Sequence, residues 1–393
     1  MIEDVTDSST GFETGEPGRP VLLQVVPALD LGGVERATID VAKAAREVGF
    51  VSLVASSGGR LVHGLKRARI DHIELPLGSK SPATIYRNIA RLSDVIRRCR
   101  VDIVHARSRA PAWSARFAAA RAGAHFMTTF HSPYGGAGNP AKRLYNSVMA
   151  RGERVIAISE FVAELVRGTY GVADDRLVVV PRGIDMKRFD PASVSAERII
   201  KLAGEWRLPD GAPVILLPAR LSRWKGHTFL IDAVTRLGRQ DVIAVLAGDG
   251  ADRYRRELAA LVAARGLNRV VRFVGTCDDM AAAYMLADVV VSASLEPEGF
   301  GRVAVEAQAM GRPVIATDHG GARETVAPGE TARLVQPGDV AGLADALIQA
   351  LALDRARREA LAAKARHHVV EAYSVERMCH DTLKVYADLI GLT

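Results

Sequence analysis

Short apolar runs alternate with amphipathic stretches along nearly the whole chain. Val21–Val26 reads as a first buried strand, and Pro27 to Gly33 as a turn. Val34 to Val48 then carries the apolar spacing of an amphipathic helix, stopped at Gly49. Further strands are predicted at Val51–Ala55, His72–Leu75, Val101–Val104, His125–Thr129, Arg154–Ala157 and Leu177–Val180, with helical patterns between most of them. Pro181-Arg182-Gly183-Ile184-Asp185, followed by Phe189-Asp190-Pro191, looks like a crossing between domains. A second set of strands is predicted near Pro213–Leu217, Val242–Ala247, Val270–Val274, Val289–Ser292, Pro313–Ala316 and Ala332–Val335. Helical patterns near Gly226–Leu237, Asp252–Arg265, Met280–Leu286 and Val303–Met310 separate these, and helical material from Val340 to Gly391, broken near Tyr373-Ser374, closes the chain.

This alternation predicts an α/β fold of two Rossmann-like, doubly wound domains facing a cleft, with a C-terminal helical segment. The expected divisions are a disordered tail over 1–19, an N-terminal domain over 20–190, a C-terminal domain over 191–370, and a closing helix over 371–393 that packs back on the N-terminal domain. In such sheets ligands sit beyond the carboxyl ends of the strands, so the residues that follow each predicted strand are the ones to search.

Glu296-Pro297-Glu298-Gly299-Phe300-Gly301-Arg302 follows the strand Val289–Ser292 and leads into the helix that ends at Gly311-Arg312-Pro313. Glu298 and Glu306 are eight residues apart. On one continuous helix that spacing would leave them roughly 80° apart, and Gly299 and Gly301 favour a turn instead. Glu298 therefore belongs to the loop and Glu306 to the second helical turn. Between them lies a helix N-terminus, whose free N–H groups and positive dipole end suit a phosphate. A phosphate in the middle with a carboxylate at each end would grip a sugar on one side and a ribose on the other.

Other strand ends carry similar candidates. Arg220 and Lys225 flank a loop after Pro213–Leu217, where two cations would neutralise a diphosphate leaving group. His131, in Thr128-Thr129-Phe130-His131-Ser132-Pro133-Tyr134-Gly135-Gly136, sits at a strand's carboxyl end facing the expected cleft. His105, in Val104-His105-Ala106-Arg107-Ser108-Arg109, holds a comparable place. Gly32-Gly33 ends the first strand's turn, and Gly275-Thr276 would present backbone groups to a nucleobase. Gly248-Asp249-Gly250 resembles the opening of a dinucleotide fingerprint, but position 253 is Arg and no acidic ribose ligand follows at the right distance. Taken singly, each has a plainer reading: Glu298 as a helix cap, Glu306 as a solvated residue, Arg220 and Lys225 as loop cations, the histidines as structural.

Composition narrows the setting. At 393 residues the chain can bury two full cores. No apolar run approaches the roughly twenty residues of a membrane-spanning helix, and the acidic, Gly- and Ser-rich start lacks the pattern of a secretory leader. Cys99, Cys277 and Cys379 are scattered, which suits a reducing compartment and offers no metal spacing. The expected location is cytoplasmic, with peripheral association at the inner membrane surface, and no metal or other cofactor is expected. The net charge of +7 is uneven: Arg19 to Asp190 holds 27 Lys and Arg against 15 Asp and Glu, whereas Pro191 to Thr393 holds 25 of each. The basic first half calls for an anionic partner, either acidic lipid head groups or a phosphorylated acceptor. Sparse aromatics and the lack of a recognised nucleic-acid motif argue against nucleic acid.

Gly32-Gly33, His131, Arg220 with Lys225, and the Glu298-to-Glu306 segment occur in the order found in glycosyltransferase family 4, the retaining enzymes of GT-B fold, which the chain resembles from about Val21 to Tyr386. Val179 to Asp185 is similar to that family's interdomain segment, with Arg182 where Asn is usual, and Gly311 to Gly321 to its next strand and turn. The resemblance implies roles. Glu298 would hold donor-sugar hydroxyls, and Phe300, Gly301, Arg302 and Val303 would present backbone amides to sugar and phosphate. Arg220 and Lys225 would bind the diphosphate, Glu306 the ribose, and Gly32, Gly33, Gly248 and Thr276 would complete the donor site. His131 would lie near the anomeric carbon, and His105, Arg107 and Arg109 on the acceptor side. Arg302 stands where many members carry Leu. The implied reaction moves a hexosyl group from a nucleotide sugar to a glycan or glycolipid acceptor with retention and without metal. The His105–Trp113 stretch and Tyr145-Asn146 are similar to bacterial lipopolysaccharide core mannosyltransferases. A nucleotide-sugar epimerase of the same fold, a non-catalytic nucleotide-sugar-binding partner and an NAD-dependent oxidoreductase are the alternatives at this stage.

Overall fold

The computed structural model describes residues 18–30, 32–134, 139–327 and 329–392. The expected tail as far as Pro17, and Gly135 and Gly136, lie outside them. The chain forms two compact units. One takes in the described residues up to Ile158, Ala163–Val180 and those from Cys379 on; the other takes in Ser159–Val162 and Pro181–Met378.

The first unit is built on a seven-stranded sheet in the order β3-β2-β1-β4-β5-β6-β7. Its strands are β1 (Val21–Val25), β2 (Val51–Ser56), β3 (Asp71–Glu74), β4 (Ile103–Ala106), β5 (His125–Phe130), β6 (Arg154–Ala157) and β7 (Leu177–Val179). Every pairing is parallel. β1 and β2 are buried along their whole length, the signature of strands covered on both faces. The helix Gly33–Glu47 buries Ala37, Thr38, Val41, Ala42 and Ala45, one stripe at three- and four-residue steps.

β4 begins two residues later than expected. The helix Pro82–Cys99 ends at Arg100 in a left-handed conformation (φ 51°), and the Val101 amide closes it by donating to Ile96 O at 2.9 Å. The helix end therefore takes the Val101 amide, while Asp102 leads into the strand, its backbone bonding Val21 O and the His125 amide and its carboxylate accepting the Val21 amide at 2.7 Å.

The second unit holds a six-stranded parallel sheet in the order β10-β9-β8-β11-β12-β13. Its strands are β8 (Val214–Pro218), β9 (Ile243–Ala247), β10 (Val271–Gly275), β11 (Val289–Ser292), β12 (Val314–Thr317) and β13 (Ala332–Val335). Ile215, Leu217, Leu246, Val289 and Val291 pack with Phe229, Leu230 and Leu347 from flanking helices into its core. The order runs one way from β8 to β10 and the other from β11 to β13. The crevice at the carboxyl ends of β8 and β11 is therefore the switch point at which such sheets hold ligands. After β13 come the helices Val340–Leu351, Arg355–Tyr373 and Val375–Leu389, with the break at Ser374. Among the described residues no helix is long and apolar enough to cross a membrane.

Candidate active site

Two loops meet at the switch point of the second sheet. The chain leaves β8 through Ala219 to Ser222, makes a single 3-10 turn over Arg223–Lys225, and reverses at Gly226 (φ 72°) into the helix His227–Leu237. The other loop leaves β11 at Ala293 and runs to Gly301 (φ 84°), which opens the helix Arg302–Ala309 with no side-chain cap. Gly226 is where the loops touch. A Cβ there would stand 1.8 Å from Ala293 O, so only glycine lets the backbones approach this closely. The Leu295 amide donates to Trp224 O at 2.6 Å and ties them further.

That stitching delivers Lys225 Nζ to 2.7 Å from Glu298 Oε1, with both side chains about four-fifths buried (16% and 21% exposed). The ammonium also lies 4.3 Å from the centre of the Trp224 ring. The Ser294 hydroxyl donates to the same Oε1. Ser294 is held in turn, because its carbonyl accepts Thr317 Oγ1 and His319 Nε2, each at 2.7 Å. Beneath them Gly320 and Gly321 bring the following turn against Glu298 and Phe300; a Cβ on Gly321 would come within 2.6 Å of Phe300 Cα. The Phe300 side chain is a buried anchor on Tyr373, leaving only its backbone for any ligand role.

On the second turn of the helix, Glu306 is buried. Its Oε2 accepts the Tyr284 hydroxyl at 2.8 Å and its Oε1 the Arg302 guanidinium at 2.6 Å. Burial first, and then the Glu306 charge, push the Tyr284 hydroxyl well above the ordinary phenol range, so it remains a neutral donor. Arg220, Gly248, Thr276, Arg302, Val303 and Glu306 line one cavity of about 520 Å³ together with Tyr284, Asp249 and Cys277. Burial lifts the Cys277 thiol to about 11, so it presents no thiolate there. Gly248 also serves packing, since a Cβ would stand 2.1 Å from Ala219 O; one on Gly250 would stand 2.3 Å from Leu221 O. These two glycines let the ends of β8 and β9 approach, which accounts for them without a dinucleotide turn. Among the described residues no group of three His, Cys, Asp or Glu side chains could hold a metal ion.

Gly32, Gly33 and His131 belong to the first unit. Gly32 and Gly33 open the helix Gly33–Glu47, and His131, half-buried, directly follows β5. Two acceptor-side expectations are corrected. His105 is fully buried, with Nδ1 2.7 Å from the Tyr386 hydroxyl and Nε2 2.7 Å from Thr129 Oγ1. Burial, aided by Arg107, holds its pKa well below the usual histidine value, so the ring is neutral. Arg107 is 3% exposed and donates to Gln24 Oε1 at 2.7 Å. Both are interior residues because the closing helix, from Cys379 on, brings Tyr386 over this strand end. Arg109 is half-buried, donating to Asn146 Oδ1 at 3.0 Å and lying 4.3 Å from the centre of the Tyr134 ring. Sequence reading missed Ser294, Tyr284, Thr317 and His319. Ser294 reads as an ordinary loop serine, and Tyr284 as an apolar position of the helix Met280–Leu286.

The family profile "Glycosyltransferase Family 4" matches residues 31–188, and "Glycosyl transferases group 1" matches residues 199–368. A solved glycosyltransferase from Rickettsia africae ESF-5 is 36% identical, with alignment over 95% of this chain and 99% of that one at a TM-score of 0.87. The chain belongs to glycosyltransferase family 4. This family 4 chain is also similar to Anabaena Alr3699/HepE, solved in complex with UDP and glucose: 25% identity, 93% of this chain, 99% of that one, TM-score 0.80. It is 34% identical over 251 residues to D-inositol 3-phosphate glycosyltransferase of Geodermatophilus obscurus, which is 61% of this chain and 53% of that protein. The chain thus spans about half the length of the curated relatives it matches. Its two parallel sheets are those of the GT-B fold.

Proposed function

We propose that this chain transfers a hexosyl group, mannosyl among the candidates, from a nucleoside-diphosphate sugar to an acceptor hydroxyl with retention at the anomeric carbon. The observation that carries the reading is the Lys225–Glu298 pair beside the uncapped N-terminus of the helix Arg302–Ala309. Lys225 and Ser294 both engage Oε1 of Glu298, which would leave Oε2 to sugar hydroxyls. Arg220 makes no ion pair among the described residues and lines the cavity, where it would neutralise the leaving diphosphate with Lys225. Glu306 would bind the ribose. The acceptor oxygen attacks on the face from which the nucleotide departs. The bond from the anomeric carbon to the phosphate oxygen breaks, and the acceptor proton passes to that phosphate. No metal is required, because fixed cations and helix amides meet the charge.

The acceptor would be anionic. The basic first half of the sequence supports this, and so does the phosphorylated acceptor in the name of the inositol-phosphate relative. A lipid-linked or lipopolysaccharide-type glycan at the inner membrane surface is one form, and a soluble phosphorylated polyol another. The test is a donor screen of purified protein with UDP-, GDP- and ADP-hexoses, each alone and with both acceptor types, reading nucleotide release and the product's anomeric configuration by NMR. Release of one nucleotide with a product of the donor's configuration is expected. Inversion would overturn the retaining reaction. Silence across the panel, with no nucleotide raising the melting temperature, would overturn the transferase reading.

A further inference from the structure

Glu306 reaches the donor cavity with both carboxylate oxygens engaged, one by a partner that cannot leave and one by a partner that can. Tyr284, on Oε2, is fully buried, and withdrawing it would open a void in the core. Arg302, on Oε1, has a side chain 40% exposed and pairs across a single helical turn. The Glu306 side chain is only 9% exposed and needs a partner, but the outer end of Arg302 is accessible, so rotation of its long side chain frees the guanidinium once another donor takes its place.

The place of Arg302 is itself unusual. It is the first residue of the helix Arg302–Ala309, at the end where the helix dipole repels a cation. Only a nearby anion offsets that repulsion. Among the described residues Arg302 pairs with Glu306, and a diphosphate seated at the helix N-terminus would be a second anion. Arg302 lines the same cavity as Glu306 and would reach either anion.

We propose that Arg302 is an exchangeable counter-ion that leaves Glu306 for the donor diphosphate when the ribose hydroxyls claim Glu306 Oε1. The exchange makes and breaks no covalent bond. One ion pair gives way to hydrogen bonds from the ribose and a charge-assisted contact with phosphate. The inference rests on the donor reading of this site and adds a consequence that reading lacks. A nucleoside without phosphates must displace Arg302 and gives the guanidinium no new anion. The chain should therefore discriminate steeply between a nucleoside and its diphosphate. Removing the guanidinium should flatten that discrimination from both sides, by freeing Glu306 for the nucleoside and by withdrawing a cation from the diphosphate.

The experiment measures affinities of the full chain and its R302L and R302K variants for uridine, guanosine and adenosine. Each is presented as nucleoside and as 5′-diphosphate, with weak ligands read by displacement of the diphosphate that binds. In R302L the ratio of diphosphate to nucleoside affinity should shrink at least tenfold, with nucleoside binding tighter, and R302K should fall between; a ratio that shrinks with nucleoside binding unchanged would make Arg302 a phosphate contact alone and overturn the exchange. An unchanged ratio, with both ligands weakened together, would overturn the exchange and leave Arg302 as a residue that only orients Glu306. Unchanged affinities for both would place it outside the site. If the wild-type chain binds none of the six ligands, the donor reading fails and this inference with it, an outcome distinct from an unchanged ratio.

Discussion

Lys225 Nζ and Glu298 Oε1 lie 2.7 Å apart although their loops leave different strands, β8 and β11, and are 73 residues apart in sequence. The pair exists because Gly226 lets one backbone pass against Ala293 O and because Ser294 fixes the carboxylate from the other side. Its charges are largely withdrawn from water, so each needs the other to stay ordered.

Glu298→Ala and Lys225→Ala are each expected to lower turnover at least about tenfold, close to 1.4 kcal/mol of barrier or more. Steady-state kinetics with the donor found in the screen would measure this, beside circular dichroism to verify the fold. Near-wild-type turnover in either variant would remove the assignment.

Two glycines with similar dihedral angles should respond very differently to alanine. Gly226 (φ 72°) has Ala293 O where the new methyl would go, whereas Gly301 (φ 84°) has its nearest neighbour, Thr325 Oγ1, at 3.6 Å. Gly301→Ala should cost only the left-handed strain, about 1–2 kcal/mol. Gly226→Ala should cost about 3 kcal/mol or more and part Lys225 from Glu298. Denaturant unfolding of both variants decides it; equal losses would contradict the contact argument.

Stability should fall as the solution is acidified below about pH 6.5. Burial is the leading cause that lowers the pKa of His72, His105, His227 and His368 below the ordinary histidine value of about 6.5. Above that value neither state is protonated at these rings and their contribution is fully present. Below it the unfolded chain takes up protons that the folded chain refuses, and stability is lost until the folded pKa values are reached. Each ring contributes at most about 1.4 kcal/mol per pH unit. Unfolding free energies measured from pH 8 to pH 5 should show the slope, and His227→Phe, which keeps an aromatic ring against Tyr254, should reduce it by one proton. A flat profile between pH 7 and pH 5.5 would rule the effect out.

Much of the fold was legible along the chain because strand and helix signals are local. Short apolar runs marked β1, β8, β9 and β11, and the spacing of glycines placed Glu298 in a loop and Glu306 on the second turn of its helix. Boundaries slipped where a helix end took over a backbone group, as Ile96 O does for the Val101 amide before β4. The same reasoning misread His105 and Arg107. A strand's carboxyl end is a fair place to look for a ligand, but nothing near position 105 announces that Tyr386, 281 residues later, will cover it.

The sequence by itself determined the parallel α/β pattern and which strand ends carry Arg220, Lys225, Glu298 and Glu306, since these depend on residue order and short-range periodicity. It also set the uneven distribution of charge. Only the tertiary structure decided that Ser294 and Lys225 share one oxygen of Glu298, that Tyr284 and Arg302 divide the oxygens of Glu306, and that His105 is interior. Each of those outcomes depends on atoms brought together from different strands and helices. A hydrogen bond needs its partners placed to within a few tenths of an ångström, and packing of whole elements, rather than any local pattern, sets that distance.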